Sequence, residues 1–153
     1  METKMEAQDN SVLYQEKLTP SPGVWLIAAF SAILFYFVFT PVNQTAGIFA
    51  PFIAFALFAL ILLTMTPRIV LTPKTLTAGK ATIERQYLGQ AVAYEGDDKK
   101  LQLGSQMDGR SYTCIRGWID PIVKIENLDS TDTVPFWIFS SRTPQAFLNA
   151  YNK

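Results

Sequence analysis

The chain has 153 residues, 13 Lys and Arg against 13 Asp and Glu, one cysteine and no histidine. That length leaves room for one small packed domain, and the balanced charge offers nucleic acid no cationic surplus. A lone Cys114 excludes an internal disulfide and fits a reducing compartment, while the lack of histidine removes imidazole acid–base chemistry and His-ligated metals.

Residues 1–20 read as an acid-rich N-terminal tail on the cytoplasmic side. It is too long for the head of a cleaved signal peptide, and no small-residue cleavage site follows the apolar run behind it. From Val24 to Met65 there is not one Asp, Glu, Lys or Arg. Residues 21–66 therefore read as a transmembrane helical hairpin. The first span is expected over 23–40, with Trp25 where an interfacial anchor belongs, and the second over 48–66, apolar around its whole circumference. At about 1.5 Å per residue each is close to a hydrocarbon core of about 30 Å. Pro51 is expected in the first turn or so of the second helix, where a missing N–H costs little.

The loop PVNQTAG (41–47) carries no charge and is too short for another crossing. Lys4 and Lys17 precede the first span, and Arg68, Lys74 and Lys80 follow the second, so the positive-inside rule predicts an inner (plasma) membrane protein with both termini cytoplasmic. Asn43-Gln44-Thr45 matches a glycosylation acceptor, a triplet common by chance. Ala28 with Ala32, and Ala46, Ala50 and Ala54, recur at four-residue spacing, and these faces are expected to pack on each other. Phe30, Phe35, Phe37, Phe39, Phe49, Phe52, Phe55 and Phe58 are then expected to face lipid or another protein's helices. No ionisable residue lies in either span, so the hairpin reads as an anchor, and only a homo-oligomer could build a pore from it.

Residues 67–153 read as a cytoplasmic β-rich domain. Strands are expected at 68–72, 75–78, 81–85, 88–95, 111–116, 121–127 and 134–140, with tight turns at Pro73-Lys74 and Gly79-Lys80. Residues 97–103 form a helical turn or a loop. In the sixth strand Val123, Ile125 and Asn127 alternate with Lys124 and Glu126, which predicts one wet face. Thr143-Pro144 opens a closing C-terminal helix.

Cys114, without a neighbouring histidine, reads as a buried strand residue rather than a nucleophile. Asp97, Asp98, Asp108, Asp120, Asp129 and Asp132 match no calcium-loop spacing, and 129–132 reads as a turn. No phosphate-binding Gly-rich loop is present. No catalytic residue, cofactor or metal is therefore expected, and the chain is not read as an enzyme. The most distinctive constellation is Arg110, Tyr112, Arg116, Trp118, Trp137 and Arg142, the residue types of binding hot spots. It is either a site for a partner or lipid, or a set of arginines paired internally with Asp108, Asp120 or Asp132.

Seven short strands and a closing helix resemble the pleckstrin-homology-like small barrel found beside membrane spans in many bacterial proteins. The motifs DGRSY (108–112), RGWI (116–119), DSTD (129–132), PFW (135–137) and SSRTP (140–144) further resemble an actinobacterial family of uncharacterised two-span membrane proteins. Taken together, the expectation is an α+β membrane protein, an N-terminal transmembrane hairpin followed by a small antiparallel β-barrel or sheet with a C-terminal helix. Its expected partners are membrane lipids and other membrane protein subunits. The expected role is accessory or scaffold subunit of a larger complex, with respiratory assemblies as one host; the alternative is a membrane-anchored lipid- or peptide-binding module.

Overall fold

The computed structural model describes residues 11–153. Lys4, and with it half of the N-terminal tail, lies outside the described residues. The chain forms two units: an apolar helical hairpin over 19–66, and a β-rich unit built from the segment ending at Leu18 together with 67–153.

In the hairpin, α1 (Pro22–Phe39) and α2 (Gln44–Thr64) are long and apolar enough to cross a membrane. Only 11% of either span is buried, whereas the core helix of a soluble protein is buried over most of its length. Helix α2 starts four residues earlier than expected because Asn43 caps it, its side chain accepting from the Ala46 N–H at 3.1 Å. Pro51 consequently lies inside the helix and not in its first turn. The connection shrinks to residues 40–43, closed by the Asn43 N–H on the Phe39 carbonyl at 2.9 Å. Gly47 makes that tightness possible: a Cβ there would stand 2.4 Å from Thr40 Oγ1 and 2.8 Å from Thr40 Cα.

Ala28, Ala32 and Ala54 are buried as the spacing predicts, but Ala46 and Ala50 are only half-buried and floor an open apolar groove of about 390 Å³. Not all the phenylalanines turn away. Phe35 meets Phe58 across the helix pair with ring centroids 6.3 Å apart, and Trp25 meets Phe55 at the same distance. Phe30, Phe37, Phe49 and Phe52 do face outward.

The β-rich unit has eight described strands, one more than the sequence reading. Strand β1 (Tyr14–Lys17) comes from the presumed tail and pairs antiparallel with β2 (Arg68–Leu71). Strands β3 (Thr75–Ala78) and β4 (Ala81–Glu84) complete an antiparallel meander in the order β1-β2-β3-β4. The turn from β3 to β4 needs Gly79, whose φ is +67°. A second sheet has the order β5-β7-β8-β6, from β5 (Leu88–Tyr94), β6 (Tyr112–Cys114), β7 (Ile122–Asn127) and β8 (Phe136–Ser140).

This second sheet departs from the antiparallel expectation, because β6 and β8 pair parallel. The link from β6 to β7 skips the position that β8 then fills. Strand β6 thus runs the same way as β8 and opposite to β7. Helix α3 (Gly96–Leu103) occupies the segment left open between turn and loop, and α4 (Pro144–Tyr151) closes the chain.

One apolar core joins the inner faces of both sheets: Leu18, Ile69, Leu71 and Leu76 from the first, Val123, Ile125, Trp137 and Phe139 from the second, with Phe147 of α4 against them. Burying each such side chain contributes about 1.5–3 kcal/mol. Val123 and Ile125 face this core as expected. The opposite face is not simply wet, since Ile122 and Ile138 are fully buried on it and Lys124 reaches Gln102 of α3 at 2.8 Å.

Candidate functional site

Of the six residues singled out in the sequence, the structure turns some inward. The Arg110 guanidinium grips Asp108 through Nη2–Oδ2 at 2.9 Å, within the same tight loop. Those hydrogen bonds hold the Asp108 carboxyl down at about 2. Trp137 is buried, and its indole N–H has no hydrogen-bond partner among the described residues. Tyr112 pairs with it across the parallel ladder, their rings 4.5 Å apart, and burial pushes the phenol up. The Arg116 backbone N–H donates to Ser140 Oγ at 2.9 Å, and its Nη1 donates to the Ile115 carbonyl at 2.7 Å.

Three of the six reach the end of the first sheet where the chain leaves for α1 and returns from α2. Trp118 Nε1 donates to the Leu18 carbonyl at 3.3 Å. Arg142 Nη1 donates to the Lys17 carbonyl at 3.5 Å, and the Arg142 backbone N–H donates to Glu16 Oε1 at 2.8 Å. Tyr112 donates to the Ala78 carbonyl at 2.6 Å, and Ala78 stands opposite Ile69. Arg110 is not brought to this place. The Leu18 N–H donates to the Pro67 carbonyl at 3.0 Å, so the two chain ends of the hairpin are tied together inside the β-rich unit.

Glu16 fastens that end. Its carboxylate accepts from Tyr14 Oη at 2.6 Å, from Ser141 Oγ at 2.7 Å and from the Arg142 N–H. Strand β1 is thus held on one edge by the β2 ladder and by side-chain bonds to the β8–α4 connection. The same end carries cations that the sequence reading used only as a charge count. Lys17 stands directly opposite Arg68, both exposed, and Lys80 follows Gly79, whose N–H donates to the Arg68 carbonyl at 2.9 Å. Their juxtaposition is a matter of register across a 48-residue insert. No local spacing could have signalled it.

A family model described as "Protein of unknown function (DUF3093)" matches residues 13–151. The chain belongs to the DUF3093 family. No curated protein and no solved structure matches it. The DUF3093 match opens one residue before β1 and closes on the last residue of α4, so the pairing of β1 with β2 and the hairpin between them both fall inside the family unit.

Other reactive groups of this DUF3093 chain are occupied locally. Burial pushes the Cys114 thiol up, and Gly79 packs so closely that a Cβ there would lie 3.0 Å from the sulfur. Asp129 Oδ1 accepts from the Thr131 N–H and hydroxyl, and Asp132 Oδ1 accepts from the Val134 N–H, which is turn chemistry. Asp120 accepts from the Gly96 N–H at 3.0 Å and lies 3.5 Å from Lys99 Nζ. Asp97 pairs with Lys100.

Proposed function

We propose that this chain is a non-enzymatic accessory or scaffold subunit of a bacterial membrane complex, anchored in the plasma membrane by the α1–α2 hairpin, with the β-rich unit on the cytoplasmic side. The observation that carries the reading is the insertion of two uncharged helices between strands that are hydrogen-bonded neighbours. Such an insert returns the chain to the side it left, so hairpin and domain act as one tethered module. Outward-facing Phe30, Phe37, Phe49 and Phe52 offer large apolar area to lipid or to neighbouring helices. By analogy alone, actinobacterial respiratory assemblies, which include small two-span subunits, are one host for such a subunit.

The test is purification in mild detergent followed by mass spectrometry of the bound proteins. A scaffold subunit brings down other membrane proteins in fixed stoichiometry, and replacing Phe30, Phe37 and Phe52 by Ala releases them while the chain stays in the membrane. Recovery of the chain alone from native membranes would contradict the subunit role. The runner-up, a membrane-anchored lipid-binding module, is favoured by one observation, the cations gathered where the hairpin enters and leaves the β-rich unit.

A further inference from the structure

Lys17 and Arg68 face each other across the β1–β2 ladder on the outward side of the first sheet, while their neighbours Glu16 and Ile69 turn inward. Like charges directly opposite each other destabilise a ladder unless an anion stands between them. None of Lys17, Arg68 and Lys80 has an acidic partner among the described residues. The first sheet contains two carboxylates among its described residues, and neither serves. Glu16 is engaged by Tyr14, Ser141 and Arg142, and Glu84 stands at the other end of the meander, opposite Thr75. The fold has therefore gathered three exposed cations at one end of a sheet, none of them paired with an acid among the described residues.

Connectivity says what is near that end. Lys17 is five residues before Pro22, and Arg68 is four after Thr64. At no more than about 3.6 Å per residue, neither can stand farther than about 18 Å from a helix terminus. Where those termini meet the headgroups, the chain tethers Lys17 and Arg68 within that reach of the layer in which anionic lipid attracts Lys and Arg. Trp118, half-buried with its indole N–H on the Leu18 carbonyl, adds an aromatic of the interfacial type.

We infer that Lys17, Arg68 and Lys80 form a binding surface for the phosphates of anionic lipid headgroups, so that the β-rich unit reads the charge of the membrane that anchors it. This rests on the anchoring reading above. The bilayer supplies the counter-anion that the ladder lacks: a headgroup phosphate between Lys17 and Arg68 turns a repulsive cross-strand pair into a bidentate clamp, with Lys80 adding to the field.

The experiment uses the full chain. Alkaline extraction of membranes comes first, and release into the supernatant would sink the anchoring reading itself. The chain, purified in a zwitterionic detergent, is then melted with added phosphatidylglycerol, phosphatidylcholine or inorganic phosphate. The expected result is a rise in Tm with phosphatidylglycerol alone, reduced at high salt. Replacing all three cations by Gln should shift the half-saturating phosphatidylglycerol concentration by on the order of a hundredfold, at about fivefold per cation near an anionic surface. The single variants Arg68→Gln and Lys80→Gln should each weaken the response and keep the lipid-free Tm at or above that of the parent chain, since each removes repulsion. These single variants decide the matter if the triple variant does not fold. An unchanged response in the variants, an equal rise with phosphatidylcholine, or an equal rise with inorganic phosphate would each overturn the inference.

Discussion

Glu16 is the residue that ties strand β1 to the β8–α4 connection within the β-rich unit. Its carboxylate accepts three hydrogen bonds, two of them from residues more than 120 positions away in sequence. Glu16→Ala strands those donors, and a loss of about 1–3 kcal/mol in domain stability is expected by thermal melting in detergent. Asp108 makes a different kind of prediction. With its folded carboxyl held at about 2 against an ordinary 3.8, the contribution of its pair with Arg110 is present above pH 3.8 and is lost as pH falls through about 2. Because the pair is exposed, its effect on stability is small, and the proper readout is the Asp108 carboxyl titration by NMR, which Arg110→Ala should return toward 3.8. Cys114 is buried with its thiol raised, so maleimide should label it slowly in the native chain and quickly after unfolding. Fast native labelling would contradict its placement.

Among the elements, the tight turns carry the sharpest consequences. Gly79→Ala forces a side chain onto a φ of +67° and against the Cys114 sulfur, and should cost about 1–3 kcal/mol in melting experiments. Most elements were legible in the sequence because their signals are local. Seven strands and the C-terminal helix appear within a few residues of where alternation, Gly and Pro place them. Strand β1 was not legible: Tyr-Gln-Glu-Lys has one apolar residue and a charged end, and its strand state comes from the β2 ladder and the Glu16 bonds. The parallel pairing of β6 with β8 likewise depends on which strand fills a gap, not on the composition of three residues. At the site, the residue types were visible but their grouping was not. Arg110 stayed in its own loop and Trp137 went into the core, while Lys17, Arg68 and Lys80 converged through a register that spans the hairpin.

At the scale of the whole molecule, one feature organises the rest: the hairpin is an insertion within a sheet, and the Leu18–Pro67 hydrogen bond closes its base. A tail-anchored domain could be cut free of its spans. Here the spans interrupt the domain, so cleavage in the short connection at 40–43 should leave two fragments that stay associated through the β1–β2 ladder and the Glu16 bonds. The most direct test is vesicle labelling in a Cys114→Ser background, with a single cysteine placed at Asn43 in one variant and at Gln106 beside α3 in another. With both termini cytoplasmic, an impermeant maleimide should reach position 106 only in inside-out vesicles and position 43 only in right-side-out vesicles. Labelling of both positions from the same side would contradict it.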